Sequence, residues 1–333
     1  MNNNGTQIGE NELIESVKLK QRAPLAELLA PILEILKTKI RIVDYSLNQG
    51  EAEATWLRLP SRVCEVHRFV VDEAECERRN SESKSQGKPY QFHSASLWVP
   101  PENRNCKSNS CASSTSHICD ESKAARFLDL RTVKSAGGLS ASKPSQAMGL
   151  DQWCDSKRIS DLDFVRIGRN EPQIEILESG AQCLKRVLGI ESEVAFIPSV
   201  IGAPLWTDVD TYLRGKGLQY IDIISSGIAN RQMSPIHSPP GERNTEGCWP
   251  RAQSLSGQML WFKDPIAQAS LISNEKVIKL ACIAECYGYI EVAFELLTWL
   301  HAERLVVENS PLAEVLEQTM ACAAEIYQVA FSK

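Results

Sequence analysis

Short apolar runs rich in β-branched residues recur along this chain, separated by helix-like stretches. Residues 40–43, 64–71, 91–98, 164–167, 194–197 and 218–224 form the runs, and residues 73–80, 174–187 and 208–216 lie between them as helices. Most runs are predominantly apolar rather than strictly alternating, which is the pattern of strands buried on both faces of a parallel sheet. Strand alternating with helix predicts an α/β fold with a doubly wound sheet. The length of 333 residues, with 43% hydrophobic and 23% charged residues, suits one large domain with appendages.

In such sheets the ligand lies beyond the carboxyl ends of the strands, where the first strand meets the next helix. Here that place is Asp44, then Ser46-Leu47-Asn48-Gln49-Gly50. A nucleotide-like cofactor needs glycine there for close backbone approach. It also needs an acidic side chain at the end of the second strand to hold ribose hydroxyls. No G-x-x-x-x-G-K-[ST] phosphate loop and no Ser-His-Asp hydrolase arrangement is present.

The flanks read as helical. Residues 11–37 carry an apolar stripe of Leu25, Leu28, Leu29, Ile32, Leu33 and Leu36, interrupted by Pro24 and Pro31. In the tail, Ser273 and Asn274 can cap a helix that Gly288 ends, Ala293, Leu296, Leu297 and Leu300 form a second stripe, and Ser310-Pro311 is a start signal. The division expected is an arm over 1–38, a main domain over 39–265 and a helical appendage over 266–333. The appendage either packs on the main domain or forms a homodimer through its helices. Residues 100–143, rich in Ser and Asn, read as a surface excursion, and 225–256, with four prolines, as an irregular lid.

Charge and cysteine usage limit the partners. The net charge of -6 and the lack of a long Lys/Arg run argue against nucleic acid. The polar first nine residues lack the apolar core of a signal peptide, and no stretch of roughly 18 apolar residues is available to span a membrane. A cytoplasmic protein with no membrane partner is expected. Eleven cysteines with irregular gaps do not form a secreted disulfide framework. Cys106, Cys111, His117 and Cys119 match no common zinc spacing, so the loop 106–119 reads as free thiols and no metal is expected. Cys282 and Cys286 share a helix face as small core residues.

The motifs then carry a resemblance. Asp163-Phe164-Val165-Arg166-Ile167, followed by Gln173-Ile174-Glu175-Ile176-Leu177, resembles the central motif of the FkbM-type methyltransferases. Leu150-Asp151-Gln152-Trp153 is similar to the family's LDxW segment. Glu193-Val194-Ala195-Phe196-Ile197-Pro198, Gly202, Pro204-Leu205-Trp206 and Asp208-Val209-Asp210 resemble its next strand-turn-helix. Gly217-Leu218 opens the strand after that, and Gly257-Gln258-Met259-Leu260-Trp261 resembles its closing GQLxW strand. More weakly, Val43-Asp44 with Gly50 falls on VDxGAxxG, Phe69 with Asp72 on FEPD, and Ser113-Ser114 on a serine motif. The resemblance runs from about residue 40 to 264.

It implies a Rossmann-like methyltransferase fold and an S-adenosylmethionine-dependent O-methyltransferase acting on a sugar or another small hydroxyl-bearing acceptor. The implied cofactor-binding residues are Asp44, Ser46, Gly50, Phe69, Val70, Asp72 and Asp151. Methyl transfer to a hydroxyl needs a base. Among nearby groups, His93 and Glu175 are candidates, although His93 and His67 read equally as core histidines and Glu175 as a partner of its helix dipole.

The departures fall on the ligand side. Ser46 replaces a glycine, Val70 the ribose-holding acid, Gly168 an aspartate, Glu171 a glycine and Gln173 a glutamate. A hydrogen bond to a charged group contributes about 1.5–3 kcal/mol, so Val70 alone would weaken cofactor binding roughly ten- to a hundredfold. Two readings follow: a methyltransferase with an altered cofactor site, or a catalytically inactive methyltransferase fold serving as a binding or scaffold module.

Overall fold

A computed structural model describes residues 23–46, 53–70, 72–97, 126, 147–168, 171–198, 204–229, 253–268, 272–308 and 310–331. Its strands are β1 (Ile40–Tyr45), β2 (Cys64–Val70), β3 (Tyr90–Ser94), β4 (Phe164–Ile167), β5 (Gly189–Ala195), β6 (Leu218–Ala229) and β7 (Gln253–Lys263). They form one sheet in the order β3-β2-β1-β4-β5-β7-β6. Strands β1 to β5 are parallel, and β7 runs antiparallel to both β5 and β6. The winding reverses between β1 and β4, so the switch point lies where the first strand ends.

The helices are α1 (Pro24–Ile35), α2 (Glu53–Trp56), α3 (Glu73–Ser85), α4 (Leu150–Ser156), α5 (Gln173–Ser179), α6 (Trp206–Arg214), α7 (Asn274–Cys286), α8 (Ile290–Leu300) and α9 (Leu312–Phe331). The doubly wound α/β fold is therefore as expected, with helical segments before and after the sheet. No described helix is long and apolar enough to cross a membrane.

Several boundaries differ from the sequence reading, each for a physical reason. Pro31 does not interrupt the first described helix. Pro24 opens α1 where a missing N–H costs nothing, and Pro31 is carried inside by burial of Leu29, Ala30, Ile32 and Leu33 around it. Residues 11–22 lie outside the described residues. Strand β5 begins at Gly189 rather than Val194, because Glu191, Ser192 and Glu193 are buried strand residues despite their polarity. The helix expected over 174–187 ends at Ser179. Gly180 and a 3₁₀ turn, Cys183–Lys185, follow it. Strand β3 ends at Ser94, short of the expected limit at Trp98, which lies outside the described residues. The irregular region expected over 225–256 is strand at both ends, through Ala229 and from Gln253, with 230–252 outside the described residues. The surface excursion expected over 100–143, including the cysteine loop 106–119 and Ser113-Ser114, also falls outside them apart from Arg126.

Alternation along the strands makes two cores. Val43, Tyr45, Phe69, Val165, Ile167 and Ile190 pack against α4, α5 and α6. Ile40, Ile42, Val66, Phe92, Phe164 and Leu260 pack against α1, Trp56 and the tail helices α7 to α9. Every residue of α7 from Val277 to Cys286 is buried, including Cys282 and Cys286. The caps of α7 are those read from sequence: Ser273 accepts from the Lys276 N–H, and Gly288 takes φ +86° to end the segment.

Arm and tail share a buried polar joint at Glu285. Ala23 gives α1 no side-chain cap, and Glu285 of α7 fills the role from 260 residues away. Its carboxylate accepts from the Leu25 N–H at 2.7 Å and the Ala26 N–H at 2.8 Å, and from the Tyr327 hydroxyl of α9. Hydrogen bonds to a buried charge contribute about 1.5–3 kcal/mol each. Glu285→Ala is therefore expected to lower unfolding free energy by about 3 kcal/mol or more in urea titrations. A loss under about 1 kcal/mol would show that α1 does not depend on the tail.

Candidate functional site at the carboxyl ends of the strands

At the switch point β1 and β4 stay joined to their ends. Tyr45 pairs with Ile167, and the Gly168 N–H donates to the Tyr45 carbonyl at 2.8 Å. Ser46, buried, lies directly against Gly168. A Cβ on residue 168 would sit 2.5 Å from Ser46 Oγ and 2.8 Å from Ser46 Cβ. Ser46 and Gly168 thus share one packing decision, in which a larger residue at 46 occupies the space a side chain at 168 would need. Glu171, also buried, brings a carboxylate to this edge. Burial first, then Glu171, pushes the Tyr45 phenol up, and its hydroxyl pairs with Ser96 Oγ at 3.1 Å.

Just below this edge, on the face of α7, a row of ions crosses four adjacent strands. Asp44 is registered with Arg68 of β2 and with Arg166 of β4, and Arg166 with Glu191 of β5. Asp44 Oδ1 lies 3.1 Å from Arg166 Nη1, and Oδ2 lies 3.4 Å from Arg68 Nε. Arg166 Nε lies 3.1 Å from Glu191 Oε1, while the Tyr287 hydroxyl, just after α7, donates to Glu191 Oε2 at 2.6 Å. All four side chains are buried, Asp44 completely. Burial opposes the Arg166 charge, but Glu191 and Asp44 outweigh it and hold the guanidinium protonated. Burial pushes the Glu191 carboxyl up, and Arg166 and the Tyr287 hydroxyl pull it back. Sequence reading missed Arg68, Glu191 and Tyr287. Each of the four strands carries charged residues in the sequence, but only the register shows that Arg68, Asp44, Arg166 and Glu191 stand at one level of the sheet.

The residues expected to bind cofactor have these places. Asp44 is held in the ion row by two arginines, and Ser46 sits at the tip of β1. Gly50 lies outside the described residues. Phe69 points into the α4 core, its ring 5.4 Å from Tyr45 and 5.1 Å from Trp153. Val70 is a core residue on the opposite face. Asp72 is the N-cap of α3, accepting from the Glu75 N–H at 2.8 Å. Asp151 accepts from the N–H groups of Gln182 and Cys183, each at 2.9 Å, and so fixes the turn after α5. Asp72 and Asp151 thus perform local structural work that sequence position alone does not reveal.

Of the two candidate bases, Glu175 stands in the first turn of α5, just beyond the end of β4. His93 lies deeper, its Nε2 3.1 Å from Nδ1 of His67. Both imidazoles pack against Trp153, whose ring centroid is 5.1 Å from His67 and 5.2 Å from His93. Burial lowers His67 to about 4, and burial with the neighbouring His67 lowers His93 to about 3. A base that weak removes a proton poorly at neutral pH, so the pair is a core element. Among the described residues no group of three or more side chains is arranged to hold a metal ion. A cavity of about 220 Å³, lined by Arg78, Arg79, Glu82, Lys88, Tyr90 and Phe92, opens beside the amino end of β3, away from this edge.

No known family profile matches the sequence, and no curated protein does. Solved structures do match. TehB of Haemophilus influenzae is 8% identical with a TM-score of 0.31, over 71% of this chain and 61% of TehB. An S-adenosylmethionine-dependent methyltransferase of Clostridium acetobutylicum is 7% identical with a TM-score of 0.32, over 72% of this chain and 91% of its own. An uncharacterised protein of Listeria monocytogenes serotype 4b is 11% identical with a TM-score of 0.31, over 91% and 97%. The match spans less than two thirds of TehB's length. What decides the fold is the strand order of the chain itself, with β7 reversed between β5 and β6. The chain has a Rossmann-like, doubly wound α/β fold.

Within that fold the tip contact can be tested. Gly168→Asp alone is expected to destabilise by about 1–3 kcal/mol through overpacking against Ser46. Ser46→Gly with Gly168→Asp is expected to recover most of that loss. Urea unfolding of the double-mutant cycle reads a coupling of about 1 kcal/mol or more, and additive effects would contradict the contact. The histidine pair has its own signature. Both are neutral when folded and gain protons near pH 6.5 when unfolded. Their contribution is therefore complete above pH 6.5 and is lost as pH falls from 6.5 toward 4. The slope approaches about 1.4 kcal/mol per pH unit for each imidazole that stays neutral. Stability measured from pH 7 to 5 should fall less steeply in a His67→Gln, His93→Gln variant than in the parent chain.

Proposed function

We propose that this chain is an S-adenosylmethionine-dependent methyltransferase of the FkbM type that methylates a hydroxyl of a sugar or another small metabolite. One observation carries this reading: the resembling segments surround the switch point. The first two motifs end β1 and β2, the LDxW segment is α4 beside them, the central motif is β4, and the closing motif is the reversed β7. The site chemistry supports it in part. Ser46 and Gly168 make a small polar floor at the strand tips, and Glu171 supplies negative charge suited to a cationic ligand. When bound, the cofactor supplies an electrophilic methyl group on a sulfonium. Glu175, at the carboxyl edge of β4, is the side chain we assign to accept the acceptor's proton, and His93 is not.

A second reading rests on a specific observation. Val70 leaves the tip of β2 apolar, while Asp44 and Asp72 have their carboxylates engaged within the protein. That arrangement favours a methyltransferase fold retained as a binding or scaffold module. Calorimetric titration with S-adenosylmethionine and S-adenosylhomocysteine separates the two. The enzyme reading expects saturable heat and a raised Tm at about 100 μM ligand. The absence of both would leave the scaffold reading standing. Under the enzyme reading, Glu175→Gln should keep cofactor affinity within about twofold while reducing methyl transfer at least tenfold.

A further inference from the structure

Helix α9 carries two apolar seams, where packing on one side needs only one. Leu316, Met320, Ala323 and Tyr327, at alternating four- and three-residue steps, pack into the core shared with α1. One residue before each of them lies a second set, Val315, Thr319, Cys322 and Ile326, which Val329 continues at the next step. One residue is about 100° around a helix, so this second seam faces sideways, clear of the first. Val315 is 44% exposed and Val329 59%, Cys322 is exposed, and Thr319 and Ile326 are half-buried. Thr319 donates its hydroxyl to the Val315 carbonyl at 2.8 Å, so that polar group is satisfied within α9. Alternating steps of four and three are the pattern by which one helix seam packs into another.

We propose that the outer seam of α9 pairs with the same seam of a second copy of this chain, about a two-fold axis near Cys322. The seam reads alike in both directions from Cys322. A valine stands seven residues away on each side, and Thr319 and Ile326 stand three and four residues away. A two-fold interface must complement itself, and a seam without charge meets no like charge there. Glu314, Glu317 and Glu325 are exposed but project from the remaining side of the helix. Those carboxylates, on a helix without Lys or Arg, set this face against an anionic lipid surface, which favours cations beside an apolar stripe. The seam is about 21 Å long and about 10 Å wide, so it buries a few hundred Å² per copy, against roughly 800 Å² in a standard interface. Val306 and Val307, 49% and 70% exposed in the turn leading into α9, add apolar surface at its amino end. The pairing is therefore weak, with a micromolar rather than nanomolar dissociation constant. It uses no residue of the strand tips and so stands apart from the methyltransferase reading.

Sedimentation velocity of the full native chain under reducing conditions, from about 1 to about 100 μM, should show monomer giving way to dimer. Val315→Lys and Val329→Lys change exposed side chains. Each should keep Tm within about 2 °C at the lowest concentration while weakening dimerisation at least tenfold. Air oxidation of the parent chain with copper phenanthroline at the highest concentration should join Cys322 to Cys322 of a second copy. Mass spectrometry of the digest reads that link as one peptide bonded to itself, and it should be lost in Val329→Lys. A chain that stays monomeric at about 100 μM would overturn the proposal. So would a dimer that both lysine variants leave intact, or one that oxidation never links through Cys322.

Discussion

Four charged side chains in a row, Arg68, Asp44, Arg166 and Glu191, cross the centre of the sheet at one level and are sealed there by α7. Taking such charges out of water is costly, and their mutual attraction offsets the cost only when every strand is in register. A slip of one residue in any strand would turn its charge to the opposite face, among Val43, Phe69, Val165 and Ile190. The row therefore selects one alignment of β2, β1, β4 and β5, and that alignment sets which residues reach the strand tips. It also ties the tail to the sheet, because Tyr287 completes the hydrogen bonding of Glu191.

The tail is accordingly part of the main body. The helix that follows β1 has a single described turn, Glu53–Trp56, and the space over the middle of the sheet is filled by α7 instead. Trp56 joins that layer, with its ring 5.1 Å from Phe164 and 5.7 Å from Tyr287. At the amino ends of the strands, Lys279, fully buried, lies among Asp161, Asp163 and Glu275, and Lys276 reaches Asp163 at 2.6 Å. Ion pairs at one end, the Tyr287 contact at the other and apolar packing between them fix α7 along its length. The alternative destination for the tail's apolar stripe, a second copy of the chain, is not needed to bury Ala293, Leu297 or Leu300.

Legibility followed the periodicity of side chains. Short β-branched runs such as 40–43 and 164–167 were readable as strands although each carries one arginine, Arg41 and Arg166, among its apolar residues. Strand β5 was misread at its start because Glu191 and Glu193 look like surface residues until Arg166 and Ser256 are seen opposite them. Asp72 and Asp151 were legible as acids in motif positions, but a carboxylate that caps a helix and one that holds a ligand have the same sequence. The arm's missing cap had no local signal either, since Glu285 lies 260 residues away.

For the cleft, the sequence by itself determined which residues stand near the strand tips and that five of them differ from the FkbM-type pattern that the chain resembles. Only the tertiary structure decided what those departures mean. Ser46 and Gly168, 122 positions apart in the chain, turn out to share one space, and the Asp44 carboxylate faces two arginines rather than the loop that follows it. The physical reason is that burial and charge pairing are properties of neighbours in space. A sequence specifies strand and helix through local spacing, whereas the fate of a buried polar group depends on a partner brought to it by the sheet.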